Sequence, residues 1–90
     1  MQHELKSWPD FFHPVFTGVK NFELRNNDRK FKVGDTIILM EYDDRAGKYT
    51  GRKLRKRITY MIDGIGPGCI TPVKGLARGY VILSLGDETK

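Results

Sequence analysis

The residues best suited to chemistry are a lysine, a glutamate and an arginine close together in the pattern Gly18-x-Lys20-x-x-Glu23-x-Arg25. Glu23 and Arg25 are two residues apart, so on a strand both side chains lie on one face, and Lys20 lies at the start of that strand. An arginine beside a carboxylate can bind the edge of a nucleobase, and the same side chains could hold a phosphate or a substrate amide. The alternative is an ion pair on the surface of a strand, which contributes little to stability.

A second feature is the density of positive charge at residues 52–57, where five of the sixteen basic residues occupy six positions. On a strand, Lys53, Arg55 and Arg57 share one face about 7 Å apart, close to the phosphate spacing along a nucleic acid backbone. Contacts of this kind supply affinity without reading bases. The alternative is an exposed strand on which Arg52 and its neighbours discourage pairing with other sheets. We favour nucleic acid binding, because one or two charges would be enough to prevent such pairing and this strand carries five.

The length and composition predict one small domain. Its 90 residues carry a formal net charge of +5, which favours an anionic partner such as nucleic acid, although a modest charge can also serve solubility alone. Cys69 has no second cysteine to pair with, and together with His3 and His13 it makes no zinc spacing, so we expect no metal or cofactor. With no signal peptide and no apolar run long enough for a bilayer, we expect a cytoplasmic protein that does not bind membranes.

Hydrophobic periodicity predicts a mainly β domain over residues 1–86 and a polar tail at 87–90. A helix is predicted from a capping Ser7 to Gly18, kinked or divided at Pro14. Its apolar residues form one stripe at helical spacing: Trp8, Phe11, Phe12, Val15 and Phe16. Strands are predicted at 3–6, from Lys20 to Arg25, at 36–42, 49–62 and 80–85, with a hairpin turn at 43–47. A glycine-rich loop follows at 64–68. Closure into a barrel is favoured, because an open sheet would leave two exposed edges.

Alternation within the strands also predicts which side chains face the core. The strand that carries Glu23 is expected to be half-buried, with Phe22 and Leu24 on the face opposite to Glu23. Phe31 and Val33 are expected to enter the core before the most buried strand at 36–42. On the long return strand, one face is predicted to carry the apolar side chains Leu54, Ile58, Tyr60 and Ile62.

Several motifs in order resemble the signature of ASCH domains, which are relatives of the PUA RNA-binding domains. They are the Gly18 to Arg25 pattern and the following Phe31-x-Val33-Gly34-Asp35. Further similarity at residues 3–6, 25–29, 41–43, 49–52 and 79–84 extends over nearly the whole chain. These segments resemble a small branch of that superfamily, found in bacteria and phages and catalogued as a domain of unknown function.

The resemblance implies an α+β, mainly β fold: a small PUA-like β-barrel of five or six strands with one or two flanking helices. It further implies a groove that accepts RNA, single-stranded or structured, and a first strand beside the one carrying Glu23, which would place His3 and Lys6 at the rim. We expect a monomer. The nucleic-acid-binding residues predicted in this way are Lys6, Lys20, Glu23, Arg25, Arg29, Arg52, Lys53, Arg55 and Arg57.

The resemblance also implies an enzymatic alternative. Some small ASCH-like proteins are amidohydrolases that remove the acetyl group from acetylated cytidine with a lysine, a threonine and a glutamate. Lys20 matches the lysine, but Glu23 takes the place of the threonine, and Thr17 and Thr50 are the remaining hydroxyl candidates. If the protein is an enzyme, the expected catalytic residues are Lys20, Glu23 and Glu41. A third possibility is a protein-interaction module whose basic strand binds an acidic partner.

Overall fold

The computed structural model describes residues 1–64, 72–73 and 75–87. Residues Gly66, Pro67, Gly68 and Cys69 and the last three of the predicted tail lie outside the described residues. In the described part of the chain, no helix is long and apolar enough to cross a membrane. The elements are β1 (Gln2–Ser7), α1 (Pro9–Thr17), β2 (Phe22–Asn26), β3 (Thr36–Asp43), β4 (Lys48–Gly64), the two-residue β5 (Pro72–Val73) and β6 (Tyr80–Gly86).

The strands form one strongly curled sheet, and the described residues contain one helix beside it, which confirms the prediction of a mainly β, barrel-like fold. The strand order is β1-β3-β4-β6-β2, with β5 paired to the end of β4. The strand β3 is the most buried, as predicted, and contributes Ile37 and Leu39 to the core. The first strand pairs in parallel with β3 and not with β2, so its predicted place beside the Glu23 strand is wrong. Lys6 nevertheless lies near β2, because curling of the sheet brings its two edge strands together.

Arginine side chains connect these two edges. Arg25 Nη2 donates to the Lys6 carbonyl oxygen at 2.8 Å, and Arg29 Nη1 donates to the Glu4 carbonyl oxygen at 3.0 Å. Glu4 and Lys6 are two residues apart, so their carbonyl groups point in the same direction from β1. Among the described residues, the seam between β1 and β2 is therefore bridged by guanidinium groups, where a closed barrel would have a backbone ladder.

The helix α1 covers the core from one side and is a single helix despite the internal Pro14. Its N-cap is Trp8, without a side-chain capping bond, so the predicted capping role of Ser7 is wrong; Ser7 belongs to β1. The helix ends at Gly18 as predicted, with φ of 87°, a left-handed conformation that favours glycine. Phe12 and Val15 are fully buried, whereas the outer part of the predicted apolar stripe, including Phe11, remains exposed.

Two of the predicted burial patterns are wrong. In β2, the buried residue is Glu23, and Phe22 and Leu24 are about half exposed. The alternation itself is as predicted, but the inner face at this edge is polar. Phe31 is buried as predicted, whereas Val33 lies outside the core and is 56% exposed.

A bulge in β4 reverses the predicted faces of its second half. The register with β6 shifts between Ile58 and Tyr60, which leaves Thr59 as an extra residue. An extra residue moves every later side chain to the opposite face. Met61 and Asp63 are therefore buried, while Tyr60 is exposed, so the prediction that Tyr60 and Ile62 share the face of Ile58 is wrong.

Candidate functional site

A groove of about 740 Å³ lies at the seam between the two edge strands. It is bounded by the end of β1, the start of α1, the whole of β2 and the first residue of β6. Its walls combine exposed aromatic rings with charged groups, which is the mixture expected of a site for a planar, polar ligand. The lining residues are Lys6, Ser7, Trp8, Phe11, Lys20, Phe22, Glu23, Leu24, Arg25, Asn26 and Tyr80.

Glu23 provides the principal acceptor of the groove. Its side chain is only 5% exposed, and Oε2 lies 2.9 Å from Arg25 Nε and 2.7 Å from Arg25 Nη2. The other oxygen, Oε1, is buried and has no hydrogen-bond partner among the described residues. Lys20 Nζ is 3.9 Å from Oε1, which is an ionic contact beyond hydrogen-bonding distance. Arg25 thus orients the carboxylate and leaves one oxygen available to a ligand that can donate a hydrogen bond.

Lys20 and Ser7 complete the polar part of the groove. Lys20 Nζ lies 5.3 Å from the centre of the Phe11 ring and 5.2 Å from that of Phe22, within range of cation–π attraction. These rings hold the ammonium group near Glu23. Ser7 Oγ is buried, lines the groove, and like Glu23 Oε1 has no hydrogen-bond partner in the described part of the chain. Buried polar atoms without partners cost free energy, so two of them in one groove indicate a place for a polar ligand.

A row of basic side chains lies on the outer face of the sheet. Lys53 and Arg55 of β4 pair with Met40 and Ile38 of β3. The pairing is regular from Lys53 to Arg57, so alternate residues of this part of β4 lie on the same face. Met40 in turn pairs with Lys6 of β1, which lines the groove. The outward row Lys53, Arg55 and Arg57 is therefore continuous with the rim of the groove through Lys6.

Glu41 and Arg52 lie in a different cluster, beneath α1. Arg52 Nε and Nη2 contact the two Glu41 oxygens at 2.9 and 3.0 Å, and the Thr50 hydroxyl donates to Oε1 at 2.7 Å. Gly51, with φ of 96°, turns the chain so that both neighbours reach this carboxylate. The hydrogen bonds from Arg52 hold the pKa of Glu41 below its ordinary value, against the effect of burial, and the same contact raises the pKa of Arg52.

His3 and Asp35 form a third cluster at the opposite end of β1. His3 Nε2 lies 2.8 Å from Asp35 Oδ2, and the α-amino nitrogen of Met1 lies 3.2 Å from Oδ1. Burial alone would raise the pKa of Asp35, but the hydrogen bonds from His3, Met1 and the Lys32 amide outweigh it and lower that pKa. His3 thus joins the start of β1 to the turn before β3 and does not lie at the groove.

The predicted site residues therefore separate into groups. Lys6, Lys20, Glu23 and Arg25 come together in the groove. Arg29 bridges the seam, and Arg52 pairs with Glu41 above the Phe12 and Phe16 rings, away from the other basic residues of its strand. Of the residues expected for an enzyme, Lys20 and Glu23 line the groove, whereas Glu41 is bound by Arg52 and is the register partner of the groove residue Ser7. Sequence reasoning missed the groove residues Ser7, Trp8, Phe11 and Tyr80, although Trp8 and Phe11 stood in the predicted stripe at helical spacing.

Together, the curled sheet, the helix α1 and the polar groove at the seam define a small mainly β domain with a candidate ligand site. Residues 2–85 match a family model described as a domain of unknown function (DUF3850), so the chain belongs to that family. It is also 43% identical over 61 residues to an uncharacterized 12.9 kDa protein in the GpA 3′ region of Escherichia phage P2. That alignment covers 68% of this chain and 54% of the relative, so it spans about half of the phage protein.

Proposed function

We propose that this domain binds single-stranded nucleic acid, RNA in the first instance, with one base in the groove and the backbone on the outer basic row. The observation that carries the proposal is Glu23 Oε1, a buried acceptor without a hydrogen-bond partner in the described residues, set among exposed aromatic rings. Every natural base carries an N–H group at its edge that can donate to such an oxygen, and each has a flat face that stacks on rings. The ASCH-like motifs support the same function by resemblance.

The positive charges support a role for the backbone. Lys20 and Lys6 lie in the groove, and Lys53, Arg55 and Arg57 continue along the outer face. Five phosphate contacts at about 0.7 each predict a slope near −3.5 for log affinity against log salt on a single strand. Arg25 and Arg52 are engaged with buried carboxylates, so we expect them to position other groups and not to bind phosphate directly.

Fluorescence anisotropy tests this function. A labelled single-stranded RNA, a hairpin RNA and a duplex DNA of matched length are titrated with protein at two salt concentrations. We expect the single strand to bind most tightly, the affinity to fall with salt, and Lys20→Ala to weaken binding. Replacing Arg55 and Arg57 by alanine should reduce the salt slope by about 1.4. The matched control is Lys48→Ala, which removes the same charge from an exposed position at the hairpin end of β4, paired with Asp43 and outside the Lys53, Arg55 and Arg57 row. Equal and salt-independent binding of all three probes would refute the proposal.

A second candidate is the amidohydrolase acting on a modified nucleoside such as N4-acetylcytidine. The observation in its favour is the buried Ser7 hydroxyl, which lines the same groove as Lys20 and Glu23 and supplies a group that the motif lacks. Incubation with N4-acetylcytidine, followed by chromatography for cytidine, tests this activity, with Ser7→Ala and Lys20→Ala as inactive variants. No cytidine after prolonged incubation with the intact protein would exclude it for this substrate.

A further inference from the structure

We infer that the ligand is a short unpaired segment of about five nucleotides, bound with its groove-inserted base at one end and its backbone crossing the sheet toward Arg57. This inference rests on the proposed function and deepens it. It follows from the arrangement of the groove and the basic row, which lie side by side and not on top of each other. The groove is at the edge of β1, while the row runs along β4, two strands away.

The strand registers give the length of the path. Lys6 opposes Met40, and Met40 opposes Lys53, so Lys6 and Lys53 lie two strand spacings, about 10 Å, apart on one face. From Lys53 the row advances by about 7 Å to Arg55 and again to Arg57. The whole path is thus about 24 Å long, and each step along β4 is close to one phosphate spacing. Four to five phosphates span it, which is at the small end of site sizes known for single-strand-binding domains.

The arrangement also places the inserted base at one end of the segment. The groove lies beyond Lys6, at the far end of the path from Arg57. Along the middle of the row, the neighbours of Lys53 and Arg55 on the same face are Met40 and Ile38 of β3, which offer no aromatic ring to a base. Exposed rings lie at its two ends: Tyr49 contacts Tyr42 beneath Lys6, and Tyr60 follows Arg57 after the bulge. In the groove, the Phe11, Phe22 and Trp8 rings stand beside Glu23 Oε1, so a base there can gain both stacking and a hydrogen bond. The largest contribution from a single base is therefore expected in the groove, at one end of the segment.

Two measurements on oligonucleotides test the inference. In a length series from two to eight nucleotides, we expect affinity to rise steeply up to about five and then to level off. In a hexamer with a single abasic position moved along the strand, we expect the largest loss, about 5-fold or more, at one end position and clearly smaller losses elsewhere, since stacking of one base accounts for about 1–3 kcal/mol.

Two variants separate the two parts of the path. Phe22→Ala should remove the penalty of the abasic end position while keeping the length dependence. Arg57→Ala should shorten the length at which affinity levels off by about one nucleotide and leave the abasic pattern unchanged. An affinity that still rises steeply at eight nucleotides, or equal losses at every abasic position, would overturn the inference while the proposed function stood. Absence of binding to every oligonucleotide at low salt would instead overturn the proposed function itself.

Discussion

The strongest structural prediction concerns Arg25, because this side chain both stabilises the seam and neutralises a buried acid. Arg25→Ala removes two contacts to Glu23 Oε2, at 2.9 and 2.7 Å, and one to the Lys6 carbonyl oxygen at 2.8 Å. It leaves a carboxylate that is only 5% exposed, with Lys20 Nζ at 3.9 Å as its remaining cation. Removing one partner of a buried pair costs about 3–5 kcal/mol. Because Arg25 is itself 26% exposed and Lys20 compensates in part, we expect a loss of about 2–4 kcal/mol.

Arg29→Ala is the matched control. Arg29 makes the same kind of contact to β1, through Nη1 to the Glu4 carbonyl oxygen, but it pairs with no buried acid among the described residues. The loss expected from a single exposed hydrogen bond is about 0.5–1 kcal/mol. Comparing the two variants isolates the contribution of the buried carboxylate from that of the bridge to β1.

Urea unfolding, followed by far-ultraviolet circular dichroism, measures both losses as changes in the free energy of unfolding. Thermal unfolding gives a second comparison, since a loss of about 1 kcal/mol lowers the melting temperature of a domain of this size by about 4–8 °C. The two variants should therefore differ clearly in both measurements. Adding Glu23→Gln to Arg25→Ala should restore part of the stability, because the neutral amide no longer leaves a buried charge unpaired. If Arg25→Ala destabilises no more than Arg29→Ala, the reasoning about the buried acid is refuted.

Three further predictions concern stability. Folding lowers the pKa of Glu41, so the contribution of its carboxylate to the free energy of unfolding is complete above the ordinary value of 4.5 and is lost as the pH falls through the folded pKa. When the free energy of unfolding is measured against pH in acid, Glu41→Gln should lose less stability than the unchanged protein. The same pH profile for both proteins would contradict this. Phe12→Ala empties a fully buried position and should cost about 3–5 kcal/mol in urea unfolding, whereas Phe11→Ala, about half exposed, should cost much less; equal losses would contradict the described burial. A Cβ at Gly86 would lie 2.8 Å from Thr59 Cγ2, so Gly86→Ala should lower the melting temperature, and Thr59→Ser, which lacks that methyl group, should relieve the loss.

Much of the fold could be predicted because its signals are local. The run of β-branched and apolar residues at β3, the turn before β4 and the glycine after α1 each act on their own segment. The errors arise where a single residue changes the geometry of a strand. The extra residue Thr59 reverses the faces that follow it, and nothing in the composition of that strand marks the bulge. Strand order was also beyond local reasoning, since β1 could pair with any strand of suitable length.

The candidate site was predicted in part, for a related reason. Spacing identified Lys20, Glu23 and Arg25 as one group, because a strand places alternate residues on one face. Spacing could not show that this face is the inner one, since apolar residues normally mark the core and Phe22 and Leu24 are apolar. The inward carboxylate is possible only because Arg25 reaches it from the same strand. Ser7 was missed because it stands just before the helix that begins at Pro9, where a serine is normally interpreted as a capping residue.

The polar seam accounts for both the stability of this fold and its candidate function. Inward-facing charge on an edge strand discourages that edge from pairing with another sheet, which is one explanation for Glu23 and Arg25. That explanation requires only the pair itself, with both carboxylate oxygens satisfied. It does not require an aromatic wall, a lysine held against two rings, or two buried oxygens, Glu23 Oε1 and Ser7 Oγ, that have no hydrogen-bond partner among the described residues. These surplus features lie on the groove side of the pair, so the seam is better explained as an edge that has also become a binding site.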